Sequence, residues 1–215
     1  MSLDVANSPA DAGDAVFSAA DYFLGIALGL VSAEGNARIV LPGRGEVSIF
    51  PGRREFVADI PDMADFCQAP AAQFQVAPLP ATAAPLVPGS AKNLGELLWA
   101  AAFHASQGRM VEGTSKYDVV QFRNWPNLTR LPKTQNTARI CALLTRHPTT
   151  IMLVHRMLDV GKDEVYRTYC AAQSAGIASI VSRDPTAKDG PVPAPAEPAQ
   201  GRGLLRSLFS KISGL

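Results

Sequence analysis

An α+β fold is what this 215-residue chain predicts, on three observations. Early in the chain, the short β-prone stretches ARIVL, EVSIF and EFVADI alternate with Pro-Gly turn signals. Later, from residue 92 onward, apolar residues recur at helical spacing with caps and stop signals around them. Two proline-rich stretches, each with five prolines, break the chain at 69–91 and again at 185–198. The expected architecture is an N-terminal helix plus a small antiparallel β-meander, a central helical region, a disordered Pro/Ala linker and a C-terminal amphipathic helix. The domain expectation is an α+β module at 15–66, a connector at 69–91, a helical domain at 92–183, a linker at 184–202 and a docking helix at 203–215.

Composition bounds the function. With 47% hydrophobic and 18% charged residues the chain can build one large domain or two small ones, without a disulfide or structural metal to hold it. Three widely spaced cysteines, Cys67, Cys141 and Cys170, contain no CxxC pair, which argues against a zinc site and for reduced, buried thiols. The first sixteen residues are acidic and lack the basic-then-apolar order of a signal peptide, so a cytoplasmic location is expected. Between Asp21 and Glu34 lies YFLGIALGLVSA, twelve uncharged residues, too short to cross a bilayer. Its Gly25 and Gly29 read as close-packing positions in a core helix. The net charge of +1 hides an asymmetry: residues 1–70 carry ten acids and four bases, and residues 71–215 carry nine acids and sixteen bases. The second part therefore offers a basic surface to an anionic partner.

Taken in order, Ser18 can cap a helix that begins at Ala19, carries Asp21 in its first turn and runs to about Ser32. ARIVL, EVSIF and EFVADI follow as an antiparallel meander turned by PGRG and PGRR. The 69–91 connector reads as extended, with QFQV as an edge strand. In AKNLGELLWAAAFHASQGR, Leu94, Leu97, Leu98, Ala101, Ala102 and Ala105 form one helical face; Trp99 and Phe103 add a second apolar edge, so this helix packs on two sides. YDVVQFR reads as a strand, and NWPNL as a break because Trp125 precedes a proline. Three helices and a strand complete the region: TQNTARICALLTRH, then TTIMLVHRML capped by Thr149 or Thr150, then KDEVYRTYCAAQSA ending at Gly176, then IASIVS.

The stretch HPTTIMLVHRMLDVGKDEVYRTYCAAQSAGIASIV resembles a winged helix-turn-helix. The matching features are an apolar helix end at Leu158, the turn Asp159-Val160-Gly161, the apolar positions Val165 and Tyr169, and the junction Ala175-Gly176-Ile177. The resemblance covers residues 134–183, about a quarter of the chain, and implies a fold more than a role. DNA-binding members place basic and amide side chains of the third helix on base edges. Here Asp159 to Gly176 carries three acids and two bases, a departure from that pattern that would meet phosphate repulsion. Residues 123–158, by contrast, hold Arg123, Arg130, Lys133, Arg139, Arg146 and Arg156 with no acid, a surface suited to phosphates or to an acidic protein face. The ensemble, including FRNWPNL ahead of these helices, is similar to proteobacterial signalling proteins, and that similarity implies a role in small Ras-like GTPase or type IV pilus control.

No sequence feature points to catalysis. GxxxxGK[ST], GxGxxG, GxSxG and HExxH are all absent. The three histidines, His104, His147 and His155, stand singly; Cys141 and His147 are six residues apart and so off one helical face. Asp62, Asp65 and the tandem acids Asp163 and Glu164 make no metal-binding loop. The expectation is therefore no enzyme, no catalytic residue, no cofactor and no metal.

The chain closes on GLLRSLFSKISGL. On a helix, Leu204, Leu205, Leu208, Phe209, Ile212 and Leu215 form one apolar stripe, with Arg206, Ser207, Ser210, Lys211 and Ser213 opposite. Thirteen residues make a marginal helix in water, but six such side chains are worth roughly 1.5–3 kcal/mol each when buried. The stripe is read as a partner-binding element. Three surfaces can receive it: the chain's own body, a groove on a protein partner, or a membrane. The leading expectation is a non-enzymatic regulatory or adaptor protein working through protein contacts; a winged-helix transcriptional regulator and a peripheral membrane-surface protein are the alternatives. The oligomeric state is left open.

Overall fold

A computed structural model describes residues 15–85 and 89–183. The acidic first fourteen residues, the linker expected at 184–202 and the amphipathic helix expected at 203–215 lie outside the described residues. What is described is mixed α and β with antiparallel sheets.

The chain enters through β1 (Val16–Phe17), and a 3-10 turn, Ala19–Asp21, precedes α1 (Phe23–Ala33). The helix expected from Ala19 under a Ser18 cap thus begins four residues later, and Ser18 makes no side-chain capping bond. Packing at Gly25 explains the tight turn: a Cβ there would lie 2.6 Å from the Ala19 carbonyl oxygen and 2.7 Å from the Ala20 Cα. Gly29 has no such neighbour within 4 Å, so one of the two glycines read as close-packing is one.

The meander follows as β2 (Ala37–Leu41), β3 (Gly45–Phe50) and β4 (Glu55–Asp59), antiparallel throughout. Strand alternation sends Ala37, Ile39, Leu41, Val47, Ile49 and Phe56 into the core. Next comes α2 (Met63–Gln68), absent from the sequence reading: Asp62 Oδ1 caps it by accepting from the Ala64 and Asp65 backbone N–H groups at 2.9 and 3.0 Å. Asp65 pairs with Arg44 at 2.9 Å. From the proline-rich connector, β5 (Gln75–Pro78) pairs antiparallel with β2, so the QFQV edge strand is realised two residues later. On the opposite edge, β6 (Lys92–Asn93) pairs with β4, giving a five-stranded sheet ordered β5-β2-β3-β4-β6.

The centre is α3 (Leu94–Ser106), whose first turn is capped by Asn93 Oδ1 accepting from Gly95 N–H at 2.8 Å. Ten of its thirteen residues are buried, as expected for a helix packed on two sides. One side meets α1 and α2 beneath the sheet, where Phe23, Phe66 and Phe74 form an aromatic cluster with ring centroids 5.0–5.6 Å apart. After β7 (Met110–Val111), which pairs parallel with β1, come β8 (Val119–Phe122), α4 (Thr137–Arg146), β9 (Thr149–Thr150), α5 (Ile151–Leu158), α6 (Lys162–Ser174) and β10 (Ala178–Ser182). The three short strands form a second antiparallel sheet ordered β10-β8-β9. Thr150, one of the two expected caps, accepts from the Leu153 N–H at 3.2 Å. Gly176 takes the left-handed conformation, φ 73°, that ends the last helical stretch. The other side of α3 packs on α6, so one apolar cluster runs from the first sheet through α3 to the later helices.

Candidate functional site

The later helices divide sharply in how they use their residues. In α6, Val165, Tyr166, Thr168, Tyr169, Cys170, Ala171 and Ala172 are buried. Two of its charged residues, Glu164 and Arg167, are also engaged within the fold. Glu164 accepts from the Asn136 backbone N–H at 3.1 Å and from its side-chain amide at 2.9 Å. The Arg167 guanidinium lies 5.9 Å from the Phe103 ring centroid on α3. Partial burial works against the charge of Glu164, but the donors of Thr134 and Asn136 and the nearby Arg139 outweigh it and hold the carboxyl below the usual glutamate range. With seven of its thirteen residues buried, α6 is a core helix.

α5 behaves differently. Ile151 and Val154 face inward, while Leu153 and Met157, one turn apart, stay 44% and 57% exposed. Arg156 sits beside them on the same outward side. The Lys116 carbonyl accepts from the Met152 N–H at 3.0 Å and brings Tyr117, 52% exposed, alongside the first turn of the helix. Lys116 lies 5.4 Å from the Tyr117 ring centroid. The result is a surface that carries Tyr117, Met157 and Arg156, residue types enriched in protein interfaces, together with Leu153 and Lys116.

All six cations singled out in the sequence are exposed, and three of them are tied to other groups of the fold. Arg130 faces Glu96 of α3 at 3.8 Å. Lys133 donates to the Leu128 carbonyl at 2.9 Å, near the exposed Trp125. Arg139 donates to Asn136 Oδ1 and to the Leu158 carbonyl, both at 2.9 Å, and so ties α4 to the C-terminal end of α5. Arg123 follows β8 at the end away from α5, Arg146 ends α4, and Arg156 lies in the last turn of α5; these three make no side-chain hydrogen bond or ion pair among the described residues. The apolar stripe Leu204, Leu205, Leu208, Phe209, Ile212 and Leu215 lies outside the described residues.

The groups considered for catalysis have structural places. Cys67, Cys141 and Cys170 are buried, and burial pushes each thiol up to about 12, so none is a thiolate near neutral pH. His155 Nδ1 meets the Val160 carbonyl in the α5–α6 turn, and His147 is exposed just past α4. Among the described residues no group of three or more His, Cys, Asp or Glu is placed to hold a metal ion, and no helix is long and apolar enough to cross a membrane.

Neither the exposed α5 face nor a second surface feature was part of the sequence reading. A cleft of about 240 Å³ opens where β4, β6 and α3 meet the segment around Arg130 and Pro132, with Lys92, Glu96, Arg130 and His104 along it. These residues are too far apart in sequence to signal a shared site. Against family models, curated proteins and solved structures, the chain matches none.

Proposed function

We propose that this protein is a non-enzymatic cytoplasmic adaptor or regulator of bacterial signalling that works through protein contacts. Its docking surface is the outer side of α5 together with Tyr117, and residues 203–215 supply a second, tethered contact. The carrying observation is the exposed pair Leu153 and Met157, 44% and 57%, with Arg156 and Lys116 beside it. Apolar residues at this exposure on a helix cost little in the free chain and contribute when a partner covers them. The neighbouring cations favour a partner that surrounds an apolar groove with carboxylates. The order β8–α4–β9–α5–α6–β10 supports a winged-helix reading of residues 134–183, in which the helix-turn-helix serves as scaffold. Burial of α6 against α3 argues against the rival reading as a transcriptional regulator. The similarity to proteobacterial signalling proteins favours small Ras-like GTPase or type IV pilus control as the setting.

The test is affinity capture from a bacterial lysate with the full chain, with Leu153→Asp combined with Met157→Asp, and with a chain lacking residues 203–215. The expected result is a partner held by the full chain, lost with the double variant and weakened by the truncation. A chain that instead retains random duplex DNA, with affinity falling steeply as salt rises, would overturn the adaptor reading.

A further inference from the structure

We propose that the cleft beside α3 binds a small amphiphilic anion, a carboxylate or phosphate group joined to a short apolar body. This inference concerns a different surface from the α5 face and stands apart from it.

The cleft is built from both ends of the physical requirement. Its walls are apolar: Phe56 and Leu97 are almost fully buried, and Met63, Ala100 and Pro132 complete them. Along α3, Glu96, Ala100 and His104 recur every fourth residue and so share one stripe. The alanine in the middle leaves the space that a larger side chain would fill. From Glu96 to His104 the helix rises about 12 Å, the reach of a short chain or one ring with substituents. Outward, the cleft continues into a vestibule of about 570 Å³ that shares Lys92, Glu96 and Arg130 and adds Ser90.

The mouth carries two cations and one carboxylate. Glu96 and Arg130 are 3.8 Å apart, a loose pair, and the Arg130 side chain is 68% exposed. The Lys92 ammonium makes no ion pair among the described residues. The mouth therefore sums to one positive charge, which an anionic head would meet at Lys92 while Arg130 balances Glu96. Two turns further along α3, neither ring nitrogen of the partly buried His104 makes a hydrogen bond among the described residues. Burial and the Arg167 charge lower the His104 pKa, with Asp62 acting weakly the other way, so the ring is neutral near pH 7 and offers one donor and one acceptor. An exposed ammonium at one end and an imidazole with no protein hydrogen bond among the described residues at the other are polar anchors that a ligand of this class can use.

Trp99 provides the readout. Its indole Nε1–H donates to the Pro132 carbonyl at 2.9 Å, and Pro132 lines the cleft, whereas Trp125 is on the surface elsewhere. Proton–nitrogen NMR spectra of the full chain would be followed during titration with octanoate and, separately, octyl phosphate. A saturable shift of the Trp99 indole signal, with that of Trp125 unmoved, is expected, and the tighter of the two probes identifies the head group. Lys92→Ala with Arg130→Ala should weaken binding about tenfold, and neutral 1-octanol should bind more weakly by a similar factor. Ala100→Met should fill the cleft and abolish the shift. If Ala100→Met does not fold, Lys92→Glu at an exposed position serves instead and should also weaken binding. Absence of a saturable Trp99 shift with both probes, or equal binding of 1-octanol, or indifference to the Lys92 and Arg130 changes, would overturn the proposal.

Discussion

Helices α5 and α6 are joined by a three-residue turn and yet treat their surroundings in opposite ways. α6 buries seven of thirteen residues and holds Glu164 and Arg167 in contacts inside the fold. α5 buries two of eight and leaves Leu153 and Met157 to solvent. The difference teaches where to look for function. A helix whose polar residues cap and brace its neighbours has little left for a partner, whereas one that exposes large apolar residues carries surface that folding does not account for.

Stability measurements can break or sharpen this contrast. The largest effect should come from Tyr169→Ala in α6, which empties a fully buried site and should lower the unfolding free energy by about 3–5 kcal/mol in urea titration. A loss below about 1 kcal/mol would mean that α6 is not the core helix described. Glu164→Gln should cost about 1 kcal/mol at neutral pH, because it weakens charged hydrogen bonds at a partly exposed site. The sign of its pH dependence follows from the lowered pKa. The carboxylate's contribution is complete above the ordinary glutamate range and is lost as pH falls through the lowered folded value. The gap between wild type and Glu164→Gln should therefore shrink on acidification; a constant gap would place the effect elsewhere. Tyr169→Phe should be neutral or stabilising by up to about 1 kcal/mol, since the buried hydroxyl has no hydrogen-bond partner among the described residues. Met157→Asp should change stability by less than about 0.5 kcal/mol while removing partner binding.

Much of the fold was legible because its signals are local. The three meander strands announce themselves by alternation and by Pro42-Gly43 and Pro51-Gly52, and α3 by an apolar face broadened with Trp99 and Phe103. Thr150 stands where a cap must stand. What was not legible depends on distance in sequence. Ser18 has the chemistry of a cap, but the close approach of residues 19–20 to Gly25 turns the chain into a 3-10 turn instead. α2 is six residues long, too short for periodicity to mark it, and its cap Asp62 looked like one acid among several. The acid-free run from Arg123 to Arg156 read as one basic surface; folding spreads it over a loop and two helices and ties Arg130, Lys133 and Arg139 to other groups. The cleft assembles Phe56, Lys92, His104 and Arg130 from four segments, a grouping that no linear motif encodes.

The adaptor reading is tested most directly by placing a photo-cross-linking amino acid at position 157 of α5 and, separately, at position 163 of α6, an exposed residue on the helix that the DNA reading requires. In bacterial cells, the account predicts a discrete protein adduct from position 157 and none of comparable yield from position 163. Protein adducts from 163 alone, or nucleic-acid adducts there with nothing at 157, would contradict it.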